Sequence, residues 1–253
     1  MRILVSNDDG IDAPGIHALA NALTELGEVW VVAPASEQSA KSHALTMHHP
    51  LRVRSAGERQ FAVGGTPADA VYLGLHQICP GPVDVVVSGI NRGANVADDT
   101  WYSGTVGAAR EGAMCGIPGV AVSLYVSSKT TDAERHWKTA AALAVDVVRA
   151  VLADPPPERT VFNLNVPDRP ADALGALKVC PLGARHYSPS VHVDVDPRGR
   201  RLYWVGGEST GFDRQPGTDG YWLMRGHPTL TPLHIEGTDK GLLLRWTGWT
   251  PGG

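Results

Sequence analysis

The sequence contains no run of lysine and arginine residues, and its 22 basic residues are outnumbered by 26 acidic ones, for a net charge of −4. A protein that binds a nucleic-acid polymer needs a basic face, so this composition argues against such a partner. No segment approaches the length of about 18 uninterrupted apolar residues that a membrane span requires, so no membrane partner is expected. A small anionic ligand held by a few placed groups remains compatible with the composition.

Cysteine is also scarce. The chain has three cysteines, far apart in sequence and without the spacing of metal ligands. This pattern predicts free thiols in a reducing compartment. The apolar stretch at residues 3–5 is too short for a signal peptide. A cytoplasmic location is therefore expected.

Several well-known catalytic motifs are missing. No Gly-Lys-Ser/Thr follows a glycine-rich loop, which argues against a P-loop nucleoside-triphosphatase. The ten histidines form no His-x-x-x-His pair, which argues against the common helical zinc site. A Gly-x-Ser-x-Gly elbow is absent as well, so serine-hydrolase chemistry has no support.

What the chain does have is an alternation of predicted strands and helices. Residues 2–6 and 29–33 are short, apolar and continuous, and between them Ile16, Leu19 and Leu23 recur at helical spacing. Continuous apolar strands indicate a parallel sheet covered on both faces, because the side chains that point to each face are apolar. Further strands are predicted at residues 83–88, 120–124 and 161–166, and further helices from Thr66, from Ser103 and over residues 131–152. The predicted fold class is α/β, with a doubly wound and mostly parallel sheet.

The pattern changes after residue 160. Two segments, residues 191–195 and 201–205, flank Pro197-Arg198-Gly199 and predict a long hairpin. We therefore expect a catalytic core over residues 1–160 and a β-rich C-terminal extension over residues 161–253. The extension is expected to complete the fold and to take part in oligomerisation.

Polar residues follow three of the predicted strands, where open α/β sheets bind ligands. Asp8 and Asp9 follow the first strand, Ser39 lies in the loop after the second, and Asn91 follows residues 83–88. Two adjacent carboxylates repel each other unless a cation lies between them. With a hydroxyl and an amide oxygen the set is all hard oxygen, which selects Mg²⁺, Mn²⁺ or Ca²⁺ rather than zinc.

Each of these residues has a structural alternative. An isolated Asp-Asp-Gly is more often an ordinary turn, but its place beside oxygen ligands at two other strand ends favours a metal site. Ser39 alone is evenly balanced between a ligand and a loop serine. Thr66 and Asp69 are better explained as helix caps than as ligands.

The segment Ser103-Gly104-Thr105 is the expected phosphate site. A helix N-terminus offers unpaired N–H groups and a positive dipole end, and Gly104 lets an anion approach closely. The alternative is simple N-capping by Ser103, which is compatible with an anion role.

The sequence contains three notable motifs: Val5-Ser6-Asn7-Asp8-Asp9-Gly10, Ser88-Gly89-Ile90-Asn91-Arg92-Gly93-Ala94-Asn95 and Tyr102-Ser103-Gly104-Thr105-Val106-Gly107-Ala108-Ala109. Together they resemble the survival protein E (SurE) family of stationary-phase nucleotidases. After residue 160 the resemblance thins to segments such as Phe162-Asn163-Leu164-Asn165-Val166-Pro167 and Thr218-Asp219. One departure is Ala97, where the family pattern usually has glycine.

The resemblance implies a Rossmann-like core, a nucleoside-monophosphate phosphatase activity and oligomers, with C-terminal elements exchanged between subunits. It assigns the divalent metal to the same four residues, Asp8, Asp9, Ser39 and Asn91. It also implies that a phosphate pocket is lined by Asn95, Ser103, Gly104 and Thr105.

We therefore expect a phosphomonoesterase that releases phosphate from nucleoside 5′- and 3′-monophosphates. It would use one Mg²⁺ or Mn²⁺ ion per subunit, take Asp8 and Asp9 as catalytic residues, and form a homodimer or homotetramer. Attack by a metal-activated water and a phosphoaspartyl route through Asp8 or Asp9 both remain open. Two alternative functions are an exopolyphosphatase that uses the same site and a non-catalytic nucleotide or phosphate sensor.

Overall fold

The computed structural model of this chain describes residues 1–126, 131–187, 191–205, 209–212, 215–247 and 249. The strands are β1 (Arg2–Ser6), β2 (Glu28–Pro34), β3 (Val53–Gly57), β4 (Gln60–Val63), β5 (Val85–Arg92), β6 (Gly119–Tyr125), β7 (Thr160–Pro167), β8 (Lys178–Val179), β9 (Arg185–Tyr187), β10 (Val191–Val195), β11 (Arg201–Val205), β12 (Ser209–Phe212) and β13 (Thr229–His234). The helices are α1 (Pro14–Leu23), α2 (Pro67–Leu73), α3 (Gly104–Met114), α4 (Trp137–Ala153), α5 (Asp219–Leu223) and α6 (Lys240–Trp246). Short 3₁₀ segments cover Ala97–Trp101, Asp132–Glu134 and Ala171–Ala173, and a π-helical turn covers Gly74–Ile78.

The central sheet has nine strands in the order β3-β4-β2-β1-β5-β6-β7-β13-β8. The run from β4 to β7 is parallel throughout, whereas β3 is antiparallel to β4 and β13 is antiparallel to β7. The chain moves outward from β1 to β2 and β4, and then crosses to the other side of β1 to form β5. The predicted doubly wound, mostly parallel sheet is confirmed. Its topological switch point, where such sheets bind ligands, lies between β1 and β5.

Helices cover both faces of this sheet. Ile3 and Val5 of β1 pack in the core under α1 and α4, whereas Leu4 packs with residues of α2 and α3 on the opposite face. Successive residues of a strand point to opposite faces, so a strand covered on both sides needs an unbroken apolar run. Within the described ranges, no helix combines the length and apolar character needed to cross a membrane.

Helix α2 begins with the capping box that the sequence predicts. The Thr66 hydroxyl oxygen accepts the backbone N–H of Asp69 at 3.1 Å, and the Asp69 carboxylate accepts the backbone N–H of Thr66 at 2.8 Å. Pro67, which has no N–H to satisfy, is the first helical residue. The interpretation of Thr66 and Asp69 as helix caps is confirmed.

The helix predicted over residues 131–152 begins later than expected. Thr131 and Glu134 form a capping box of their own, but it closes only a 3₁₀ turn, after which Arg135 is extended. The backbone N–H of His136 then donates to the Asp168 carboxylate at 2.8 Å. This long-range contact draws the chain out of helical geometry, so α4 begins only at Trp137.

Strand β5 is longer than predicted. It runs past the expected end at residue 88 because Asn91 and Arg92 pair with Ser123 and Leu124 of β6. Asn91 therefore lies on the strand itself rather than in a loop after it.

The region after residue 160 contributes to the sheet and also extends beyond it. Strands β7 and β13 belong to the nine-stranded sheet, which agrees with a segment that completes the fold. The predicted hairpin is confirmed as the antiparallel pair β10-β11, with Val191 aligned to Val205. The division into a core and an extension near residue 160 stays a prediction.

Candidate functional site

The polar residues predicted from the strand ends meet at the switch point of the sheet. Asn7, Asp8 and Asp9 follow β1, and Asn91 lies at the end of the neighbouring β5. The Asn7 side chain closes the turn after β1: its amide donates to the Gly10 carbonyl at 2.8 Å and accepts the Gly10 N–H at 3.2 Å. Gly10 has a φ of +100°, a conformation that favours glycine, so the turn presents two adjacent carboxylates in a defined direction.

Asp8 is the buried member of the pair, with 5% of its surface exposed. Its carboxylate accepts the hydroxyl proton of Thr105 at 2.5 Å, which ties β1 to the first turn of α3. Burial raises the pKa of Asp8 to about 6, and the negative charge of Asp9 adds to that rise while the Thr105 hydrogen bond opposes it. A carboxylate desolvated this strongly is a group that a bound cation would stabilise.

Asp9 is less buried and faces β5. Its carboxylate accepts the backbone N–H of Arg92 at 3.1 Å. Burial raises the pKa of Asp9; Glu37 and Asp132 add to the rise, whereas the hydrogen bond and charge of Arg92 lower it. The negative charges therefore outnumber the positive ones around Asp9.

Ser39 lies in the loop after β2 and Asn91 lies on β5, the two strands that flank β1 in the sheet. The backbone N–H of Gln38 donates to the Asp8 carbonyl at 2.7 Å, which places Ser39 next to the carboxylate turn. The Ser39 hydroxyl itself is exposed and donates to Glu37 at 2.8 Å. The Asn91 amide N–H donates to the Gly93 carbonyl at 2.8 Å, and its amide oxygen makes no hydrogen bond with any residue that the structure describes. That oxygen is free to act as a ligand.

These four residues fit a hard divalent cation. They supply two carboxylates that repel each other, a hydroxyl and an amide oxygen, which is the donor chemistry of Mg²⁺ and Mn²⁺ sites. Within the described part of the chain, no group of three or more His, Cys, Asp and Glu side chains could hold a metal. A site of the predicted composition contains only two such side chains, so the two observations are compatible.

The start of α3 lies directly against Asp8. Ser103 caps the helix, since its hydroxyl oxygen accepts the Val106 N–H at 3.0 Å. A Cβ atom on Gly104 would lie 2.8 Å from the Asp8 Cβ and 3.0 Å from its Oδ2. Gly104 is therefore needed for the close packing of Asp8 on the helix, as well as for the approach of an anion. Thr105, expected in the phosphate pocket, contacts the expected metal ligand.

Asn95 is turned inward. It is 7% exposed, and its side-chain amide donates to the Ser123 hydroxyl at 2.8 Å. The structure thus brings together Asp8, Gly104 and Thr105 by direct contact. It attaches Asn95 to the sheet beneath the site.

The loop that carries Ser39 is held by residues to which sequence reasoning gave only a capping role. The Asp69 carboxylate accepts the Thr46 backbone N–H at 2.8 Å and its hydroxyl at 2.6 Å. The Thr66 hydroxyl donates to the Ala44 carbonyl at 2.6 Å. The capping box of α2 therefore also fixes the far end of this loop. No local signal in the sequence could show it, because the partners are 22 and 23 residues apart.

A second attachment of the same loop was missed. The Nε2 of His43 lies 2.6 Å from a carboxylate oxygen of the buried Glu111 on α3. One turn earlier on α3, a Cβ on Gly107 would lie 2.3 Å from the Ser42 carbonyl oxygen. The glycine lets the loop backbone lie directly on the helix. No local pattern in the sequence indicates this contact, because His43 and Glu111 are 68 residues apart.

Ala97, where the family pattern usually has glycine, adopts a backbone conformation that favours glycine. Its φ is +53°, in the left-handed region that favours glycine, and its N–H donates to the buried Asp219 carboxylate at 2.9 Å. We expect Ala97→Gly to stabilise the protein by a few tenths to about 1 kcal/mol, because glycine removes the backbone strain. Thermal or urea denaturation measures the change.

Ala113 on α3 is a matched control, since it is equally buried (1% exposed for both residues) but has helical backbone. Ala113→Gly should destabilise by roughly 1 kcal/mol. Equal destabilisation of both variants would contradict a strained Ala97.

Comparison with known proteins identifies relatives over the whole chain. A sequence model of the family described as Survival protein SurE matches residues 3–189. The chain is 48% identical over 249 residues to the 5′-nucleotidase SurE of Geotalea daltonii, covering 98% of this chain and 99% of that protein. It is 44% identical over 252 residues to the 5′-nucleotidase SurE of Alkalilimnicola ehrlichii, covering 100% of this chain and 96% of that protein.

A solved structure shares the fold. The SurE protein from Aquifex aeolicus superimposes with a TM-score of 0.85 at 37% sequence identity, covering 97% of this chain and 98% of that one. The similarity therefore includes the C-terminal region as well as the parallel sheet.

Proposed function

The chain belongs to the Survival protein SurE family, and on that premise we propose that it is a divalent-metal-dependent phosphomonoesterase acting on nucleoside 5′- and 3′-monophosphates. The observation that supports this most is the desolvated Asp8 carboxylate, packed against the first turn of α3 and adjacent to Asp9. A cation and a phosphate group would be neighbours there. The free thiols at Cys79, Cys115 and Cys180 agree with a cytoplasmic enzyme.

In the proposed reaction, Asp8, Asp9 and the first turn of α3 have different roles. When bound, Mg²⁺ or Mn²⁺ would polarise a phosphoryl oxygen and lower the pKa of a water molecule. Asp8, held by Thr105, serves as a fixed ligand. Asp9, less buried and with a raised pKa, can orient or deprotonate the attacking water. N–H groups in the first turn of α3 would stabilise charge on the phosphoryl oxygens.

A phosphate-release screen tests the proposal. Ribo- and deoxyribonucleoside 5′- and 3′-monophosphates would be assayed with Mg²⁺, with Mn²⁺ and with a chelator. We expect release from monophosphates that the chelator abolishes. Faster release from polyphosphate chains would favour an exopolyphosphatase, and nucleotide binding without release would favour a sensor.

We also propose that the protein is a homodimer or homotetramer assembled through its C-terminal region. The hairpin β10-β11 exposes apolar side chains on both of its faces, and α6 exposes three consecutive leucines. The apolar side chains are Val191, Val193, Val195, Leu202, Tyr203, Trp204, Val205, Leu242, Leu243 and Leu244. Such a surface is unusual on a monomer and suits elements that pack on, or exchange with, a second copy.

Deleting residues from 236 onward should shift the protein toward monomer or aggregate, because α6 and its exposed leucines are removed. Light scattering at several protein concentrations measures the molar mass. A truncated protein that keeps the oligomeric state and solubility of the full chain would contradict a role for α6 in assembly.

A further inference from the structure

Two asparagines on β7 are fully buried in the middle of the sheet. Asn163 and Asn165 have no exposed surface, although most of the other buried residues of this strand are apolar. Burying an amide side chain is unfavourable unless its polar atoms are hydrogen-bonded. Apolar residues of similar volume would fill the same space, so the partners of these amides need an explanation.

Both side chains bind the backbone of one residue. The amide groups of Asn163 and Asn165 donate to the carbonyl oxygen of Asn95, at 2.7 Å and 3.0 Å. The amide oxygen of Asn165 also accepts the N–H of Asn95 at 2.8 Å. The Asn165 side chain therefore pairs with both backbone groups of Asn95, as a neighbouring strand would. The two β7 asparagines are called the asparagine clamp below.

The clamp acts at the centre of the site segment. Asn95 lies four residues after the expected metal ligand Asn91 and eight before Ser103, which caps α3. The Asn95 side chain is held by Ser123 on β6, the strand next to β7. The next bonded point along the segment is Ala97, whose N–H donates to Asp219. Asn91 and Arg92 are already held by backbone pairing with β6. Residues 94–97, which lead from that pairing toward α3, are instead held mainly by side chains beneath them.

We propose that Asn163 and Asn165 are positioning residues for phosphate release, which fix residues 94–97 so that Asn91 and the start of α3 keep their spacing. This role rests on the proposed function. The clamp residues touch neither substrate nor metal; they act through Asn95. A displacement of about 1 Å in such a segment is enough to reduce turnover roughly a hundredfold.

The test compares Asn165→Leu with a control that has the same burial. Leucine has the same number of side-chain heavy atoms with the same branching, but it lacks both hydrogen-bonding atoms, Oδ1 and Nδ2. Thr229 is the partner of Asn165 on β13, is fully buried, and its hydroxyl has no partner among the described residues. Thr229→Val therefore removes a buried polar group without removing a hydrogen bond of the clamp. Asn163→Ala, which removes one bond to Asn95, is a milder second variant in case Asn165→Leu does not fold.

Two measurements are made on folded protein below its melting temperature. We expect kcat for nucleoside monophosphates to fall about ten- to a hundredfold in Asn165→Leu and to a smaller extent in Asn163→Ala, with Thr229→Val unchanged. Hydrogen exchange of the Asn95 N–H, whose acceptor is lost, should accelerate at least tenfold in Asn165→Leu alone.

A purely structural role would lower the melting temperature and leave kcat unchanged in the folded variants. That result would overturn the clamp. If the wild-type protein releases no phosphate, the proposed function fails. The exchange rate of Asn95 then still decides whether the clamp holds the segment.

Discussion

Replacing Asp8 or Asp9 by asparagine should slow phosphate release by a thousandfold or more. Each substitution removes one negative charge from an oxygen-ligand site whose affinity for a divalent cation depends on ligand charge. Losing the cation forfeits several kcal/mol of transition-state stabilisation, which corresponds to about three orders of magnitude in rate. The measurement is the phosphate-release rate of Asp8→Asn and Asp9→Asn with and without Mn²⁺.

The Asp8 substitution should slow the reaction without destabilising the metal-free protein. Burial raises the pKa of Asp8 from an ordinary 3.8 to about 6 in the metal-free protein. An acid with a raised folded-state pKa destabilises the fold where it is ionised, so the metal-free wild type should lose stability as the pH rises from about 4 to above 6. The shift corresponds to a loss on the order of 3 kcal/mol. Asp8→Asn removes this destabilising charge. With a chelator present at pH 7, the variant should melt at the same temperature as wild type or higher.

A control variant separates the loss of a carboxylate charge in general from its loss at this site. Asp146 lies exposed on α4, and Asp146→Asn should leave both the rate and the melting temperature unchanged. Near-native rates in both Asp8→Asn and Asp9→Asn would mean that the two carboxylates only shape a turn. The metal site, and the function built on it, would then be wrong.

Replacing Gly104 by alanine should disable metal binding and phosphate binding together. The added Cβ would lie 2.8 Å from the Asp8 Cβ, so either the aspartate or the first turn of α3 must move. Displacing catalytic groups by about 1 Å costs roughly a hundredfold in rate. Calorimetric titration with Mn²⁺ and with inorganic phosphate should show both affinities weakened, alongside the slower turnover.

Ser103→Ala is a comparison variant that alters the start of α3 without displacing Asp8. It deletes the hydroxyl that caps α3 but adds no atom near Asp8, so Mn²⁺ binding should persist while phosphate binding weakens. The lost cap should also reduce stability by about 1 kcal/mol. If Gly104→Ala bound Mn²⁺ as tightly as wild type, the contact between Asp8 and α3 would not control the metal site.

The sequence alone was sufficient to predict the features encoded in short segments. Strand β1 and helix α1 follow from apolar spacing within a few residues, and the cap of α2 follows from Thr66 and Asp69, three positions apart. The choice of Asp8, Asp9 and Asn91 as a group used one further rule, that parallel strands end at the same edge of a sheet. Their proximity at the switch point agrees with that rule.

The tertiary structure alone decided which distant groups touch. Thr105 binds Asp8 from 97 residues away, Asn165 binds Asn95 from 70, and β13 joins the sheet beside β7. Periodicity and capping patterns cannot predict these contacts, because each depends on strand order and on how closely a helix packs against a strand. Gly104 shows the difference: its sequence context predicts space for an anion, whereas its packing shows that the same space is needed to seat Asp8.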